Sequence, residues 1–231
     1  MRCLACLDRT PGTPLTAEAA FAFYAAAARE LFEEAGVLLA KTATDAPVDT
    51  SRLNDWRRRL QDGTGAFSEL LATECLTLDV DALSYLSHWI TPSAEPMRFD
   101  TRFFALPLPD EQTPLFDHKE TTDGAWWSGE EALAAHAAGT ILLAPPTIRH
   151  LEELARHRHL ASYLEEMRGR EVAPILPKMV MDGETMLVVL PWDEEYEGLE
   201  GESLNLGPHP WARTGGPSRF VLRDGRFFSK P

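Results

Sequence analysis

The stretch Arg29-Glu30-Leu31-Phe32-Glu33-Glu34-Ala35-Gly36-Val37 decides how this chain is read. It runs Arg-Glu-apolar-x-Glu-Glu-x-Gly-apolar. On a helix, positions three and four apart share a face, so Glu30 lies beside both Glu33 and Glu34, and Arg29 lies beside Glu33. Leu31 and the preceding alanines pack against a sheet while the acids point outward. Gly36 stands where a helix ends on a residue tolerant of positive φ. Three carboxylates on one face repel one another unless a cation neutralises them. Hard oxygen ligands on a rigid helix select Mg²⁺ or Mn²⁺, with substrate phosphates completing the shell. In such a site Glu33 and Glu34 ligate the ion, Glu30 ligates it or acts as base, and Arg29 orients them. A merely solvated acidic face is the plain alternative, and the apolar positions falling in register with the acids argue against it.

The bulk numbers bound the reading. The chain has 231 residues, enough for one domain with a sizeable core or a domain plus a tail. A net charge of -14 argues against nucleic acid or an anionic membrane as partner. A polyphosphate is still acceptable, because a metal supplies the positive charge. No apolar run reaches the length of a membrane span, and Met1 to Leu7 makes a poor signal peptide. The 3 cysteines, an odd number, suit a reducing compartment, hence a cytoplasmic protein. Cys3 and Cys6 form a lone C-x-x-C without the second pair of a zinc site, and we read it as coincidence.

Local signals give the element order. Thr16 to Leu38 reads as one helix, rich in alanine. Lys41 to Val48 reads as a polar loop. Asp49 or Thr50 caps a helix through Leu60 whose apolar face holds Leu53, Trp56 and Leu60. A second short helix covers Phe67 to Thr73. The Arg57-Arg58-Arg59 triplet reads as a solvated helix end, with phosphate binding the lesser option. Ala82 to Ile90 and Phe99 to Leu106 read as strands, and Ala125-Trp126-Trp127 as a short strand. Ser128 and Glu131 make a capping box that opens a helix to Ala137. Further helices are expected from Thr147 to His157 and from Ala161 to Arg168. Hairpins are expected around Asp182-Gly183-Glu184 and Asp224-Gly225.

The acidic stretch resembles the second half of the Nudix hydrolase signature. Further stretches are similar to one branch of that family, which includes the peroxisomal coenzyme A diphosphatases and bacterial relatives. They are Ser87-His88-Trp89-Ile90-Thr91-Pro92, Arg98-Phe99-Asp100-Thr101-Arg102-Phe103-Phe104, Glu120-Thr121-Thr122, Pro145-Pro146-Thr147 and Leu151-Glu152-Glu153-Leu154. The resemblance implies an α/β fold, a Nudix-like α/β/α sandwich with a mixed sheet. It places that domain over 1–192, with the acidic helix near 16–38, a helical insertion near 49–74, and an acidic, Gly-rich tail with a small hairpin over 193–231. It implies Mg²⁺- or Mn²⁺-dependent hydrolysis of a pyrophosphate bond in a small nucleotide substrate, coenzyme A or an acyl-coenzyme A first, another nucleoside diphosphate derivative second. A glutamate outside the signature often assists catalysis in this family, and Glu120 is either that residue or an ordinary loop carboxylate.

One departure stands out. The compact signature places a glutamate at position 21, which is Phe21, and Arg9-Thr10-Pro11-Gly12-Thr13 is at best a vestige of its glycine turn. The expectation is a domain incomplete at its N-terminus, with an open sheet edge prone to pairing and so to a homodimer. A catalytically impaired binding module is therefore the rival from another class. Arg98 and Arg102 share a strand face with Asp100. They either grip substrate phosphates or form an ion-pair ladder with Asp100. His88 is read as a core residue or a base contact, and His150, His157 and His159 as surface residues. No nucleophile triad or phosphate-cradling glycine loop is present.

Overall fold

Thr16 opens the first helix as expected: its hydroxyl accepts from the Ala19 amide at 3.2 Å. Gly36 closes it in the left-handed region at φ 67°. The computed structural model describes residues 2–6, 15–44, 49–115, 124–168, 170–204, 206–214 and 216–230. Its elements, in order, are β1 (Arg2–Cys6), α1 (Ala17–Ala35), β2 (Ala40–Thr42), α2 (Thr50–Gln61), α3 (Phe67–Thr73), β3 (Leu76–Leu78), β4 (Ser84–Ile90) and β5 (Phe99–Ala105). Then follow α4 (Gly129–Ala137), α5 (Pro145–Ala155), α6 (Leu160–Arg168), β6 (Pro174–Ile175), β7 (Lys178–Asp182), β8 (Thr185–Val189), β9 (Arg219–Arg223) and β10 (Arg226–Lys230). This is the mixed α/β fold expected, with six helices and three sheets among the described residues.

The chain divides into two compact units. The first holds 1–3, 15–84 and 104–125; the second holds 4–14, 85–103 and 126–231. In the first, α1 buries Ala27, Ala28 and Phe32, and Phe32 packs on Phe67 of α3 at 6.4 Å between ring centroids. Tyr24 of α1 packs against Phe104 at 4.8 Å between ring centroids, with the rings tilted by 60°. The segment holding α2 and α3 is closed at its base by β2 and β3, which pair Lys41 with Thr77. That short ladder corrects the reading of 41–48 as loop from its start. Three residues are too few to show a period of two, and their partner strand lies beyond α2 and α3.

The second unit holds most of a sheet in the order β1-β5-β4-β6, with β6 parallel to β4. Its other sheet runs β10-β9-β8-β7. The C-terminal hairpin joins this sheet: β9 pairs with β8, Leu187 opposite Val221. Its turn residues Asp224 and Gly225 both have positive φ, 48° and 73°, as a two-residue primed turn requires. Trp89, Ile148, Ile175, Leu190, Trp211 and Phe220 are buried together in this unit's core.

Two expectations fail here. Residues 124–128 form no strand, and Trp126 and Trp127 are exposed rather than paired. Helix α5 begins at Pro145 instead of after the prolines, because a first-turn amide has no partner to lose. Among the described residues no helix is long and apolar enough to cross a membrane.

Candidate functional site

The candidate site is the acidic face of α1, in the first unit. Arg29 reaches along the helix, its Nη1 2.9 Å from Glu33 Oε1, and its Nη2 bonds Glu30 Oε1. One guanidinium thus bridges two of the three candidate carboxylates. Arg29 is more exposed than either: its side chain is 40% accessible, against 28% for Glu30 and 19% for Glu33. The pair is therefore partly open to solvent.

The last turn of α1 is held more firmly than its sequence suggests. Its final carbonyls have no partners within the helix and must be satisfied from outside. The Gly36 amide bonds the Phe32 carbonyl at 3.0 Å. Arg57 Nε donates to the Glu33 carbonyl at 3.0 Å, and Gln61 Nε2 donates to the same oxygen at 2.7 Å. Arg57 Nη2 donates to the Glu34 carbonyl at 2.8 Å and to the Leu115 carbonyl at 2.7 Å. The Leu115 amide donates to Ala35 at 2.8 Å. Gln112 brackets Leu38 from both sides, at 2.8 and 2.9 Å.

Arg57 corrects the reading of its triplet as a solvated end: it is buried. Arg58 stays exposed with Asp55, and Arg59 lies over the Trp56 ring at 4.1 Å. The signal was available. Arg57 follows Leu53 by four positions and precedes Leu60 by three, inside the apolar stripe of α2.

Donor type fits a hard divalent ion, since Glu30, Glu33 and Glu34 offer only carboxylate oxygen. Among the described residues, however, no group of three or more His, Cys, Asp or Glu side chains is gathered to hold a metal. Two of the acids are turned to Arg29 instead. Glu120 and Arg9 to Thr13 lie outside the described residues. Phe21 faces solvent on α1.

The remaining candidates lie in the second unit. Arg102 and His88 both bond Asp100 Oδ1, Arg102 at 2.7 Å, and all three are buried. Burial pushes the Asp100 carboxyl up, but His88 and Arg102 outweigh it and hold it below its ordinary range. Arg98 turns away from this pair to Glu202, at 2.8 Å, and to the Thr91 carbonyl, at 3.0 Å. His150 is not the surface residue expected. It shares a 2.6 Å hydrogen bond with Ser87 and packs edge-on to Phe103. His157 pairs with Glu166 at 3.1 Å, and His159 is exposed.

Comparison with known proteins shows the family. Residues 4–154 match the family described as NUDT19 Nudix domain. The chain is 32% identical over 190 residues to the acyl-coenzyme A diphosphatase NUDT19 of Homo sapiens, covering 76% of this chain and 51% of that protein. The Gallus gallus protein of the same name is 30% identical over 214 residues, covering 82% and 56%. A NUDIX hydrolase from Alicyclobacillus acidocaldarius has a similar structure, with a TM-score of 0.57 at 25% identity over 67% of this chain and 70% of that one. The chain spans about half the length of the curated relatives it matches.

Proposed function

We propose that this chain, which belongs to the NUDT19 branch of the Nudix hydrolase family, hydrolyses the pyrophosphate bond of coenzyme A or an acyl-coenzyme A with Mg²⁺ or Mn²⁺. The observation that carries the reading is the row of Glu30, Glu33 and Glu34 on α1, with Glu30 and Glu33 held by Arg29. The printed activity of the relatives supports the substrate class. Glu33 and Glu34 would hold the ion, with Glu30 as a further ligand or as the base that takes the proton of the attacking water. A bound divalent ion supplies a lowered pKa for water and offsets charge on the leaving phosphate. Arg29 keeps Glu30 and Glu33 on one face, and in exchange for the ion it can swing outward through its exposed position. Water adds to one phosphorus and the bond to the bridging oxygen breaks. The products are adenosine 3',5'-bisphosphate and 4'-phosphopantetheine, or its acyl form.

The test follows release of adenosine 3',5'-bisphosphate from coenzyme A by chromatography, with and without chelator. In parallel, Mn²⁺ is titrated calorimetrically into wild type and a Glu33→Gln, Glu34→Gln double variant. Turnover that needs the ion, and Mn²⁺ binding that the double variant loses, support the reading. Turnover unchanged in chelator, or equal Mn²⁺ binding in both proteins, overturns it. Mn²⁺ binding without turnover on any coenzyme A ester would instead mark a binding module.

A further inference from the structure

We propose that Arg57, assisted by Gln61, is a positioning residue that sets the carboxylates of Glu33 and Glu34 by gripping the backbone from which they project. The inference rests on the metal-dependent reading above, and it gives the α2–α3 insertion a role in that chemistry.

The argument starts from the helix end. Glu33 and Glu34 sit in the last turn of α1, where a helix frays for want of acceptor partners. That turn has no basic residue of its own. The positive charge favoured at a helix C-terminus comes from α2 instead. Arg57 Nε and Nη2 take the Glu33 and Glu34 carbonyls at 3.0 and 2.8 Å, and Gln61 adds a second bond to Glu33 at 2.7 Å. The same Nη2 reaches the Leu115 carbonyl at 2.7 Å. Arg57 and Gln61 are four apart and so leave α2 from one face. Gly36 completes the seat: a Cβ there would lie 3.0 Å from Arg57 Nη1. The planar guanidinium fork is what spans two successive carbonyls and a third oxygen, and an ammonium at the same place does not reproduce it.

Two opposing effects separate positioning from charge. Arg57 is a positive group beside a cation site, so by charge alone its removal should tighten Mn²⁺ binding. If it positions the ligands, its removal should weaken Mn²⁺ binding, because Glu33 and Glu34 lose their fixed backbone. A displacement near 1 Å can cost about 100-fold in rate.

The experiment measures Mn²⁺ affinity by titration, together with kcat and KM for coenzyme A, in Arg57→Met, Arg57→Lys, Gln61→Leu and Arg58→Gln. For Arg57→Met we expect the Mn²⁺ dissociation constant to rise about tenfold and kcat to fall about 100-fold, with KM little changed. Arg57→Lys should resemble Arg57→Met although it keeps the charge. Gln61→Leu should lose several-fold, and exposed Arg58→Gln should match wild type. In Arg57→Ala, added guanidinium should restore part of kcat. If Arg57→Met changes only the melting midpoint, or binds Mn²⁺ more tightly, the positioning role is overturned while the functional reading stands. If Arg57→Met does not fold, Arg57→Lys and Gln61→Leu carry the same test. Equal Mn²⁺ binding by wild type and the Glu33→Gln, Glu34→Gln variant overturns the functional reading, and this inference with it.

Discussion

Arg29 and Glu33 are joined by a 2.9 Å ion pair one helical turn apart, and the same guanidinium holds Glu30. A pair this exposed contributes little to folding, about 0.2–1 kcal/mol. In the proposed mechanism its importance lies in where it holds the acids. Arg29→Met should lower the melting midpoint by less than about 4 °C and lower kcat on coenzyme A by at least about tenfold. Thermal melts and turnover assays on one preparation check this. A large loss of stability with unchanged kcat would make the pair structural.

Gly36 turns the chain out of α1 at φ 67°. An L residue in that region costs about 1–2 kcal/mol. Gly36→Ala should lose that much in urea unfolding, and its Cβ would also crowd Arg57 at 3.0 Å. Mn²⁺ affinity should fall with it. Wild-type stability would show that the cap is not the one described.

Two histidines, His209 buried and His150 half-buried, predict acid sensitivity. Burial pushes His150 down to about 3, helped by nearby positive charges that include Arg170 and Arg149. Burial pushes His209 down to about 4, against the pull of the Ala173 and Pro174 carbonyls. Both are neutral when folded, whereas in the unfolded chain they gain a proton near 6.5. The unfolded state therefore binds more protons below that pH, and stability falls on acidification, by about 1.4 kcal/mol per pH unit for each histidine. The loss should begin near pH 6.5 and level off near 4 for His209 and near 3 for His150. Urea midpoints across this range should show the slope, and His150→Gln should reduce it.

Asp193 acts in a lower window. Its hydrogen bond from Arg219, helped by Ser218 and the Glu195 amide, holds the carboxyl down at about 2 against an ordinary 3.8. A depressed acid stabilises the fold above its unfolded pKa and loses that effect as pH falls through its folded one. Asp193→Asn should therefore cost on the order of 1–2 kcal/mol at neutral pH and converge on wild type near pH 2. Pairing it with Arg219→Met should give less than the sum of the two losses. Strict additivity would show that the two side chains do not interact.

The sequence by itself determined what depends on neighbours along the chain. The caps at Gly36 and Ser128 form as read, and the helix opens at Thr16, because their partners lie within four residues. The Arg29–Glu33 pair follows from helical spacing in the same way. The closing Asp224-Gly225 turn needs only positive φ from its own two residues. Tertiary structure alone decided which polar groups are buried. Arg57 and Arg58 are adjacent basic residues, yet one is buried against the end of another helix and the other stays in solvent. His150 looked like a surface histidine until Ser87, 63 positions away, and Phe103 closed over it. The β2–β3 ladder and the pairing of β9 with β8 likewise join segments distant in sequence. Local propensity carries no information about such partners, because the free energy that selects them is released only when the surfaces meet.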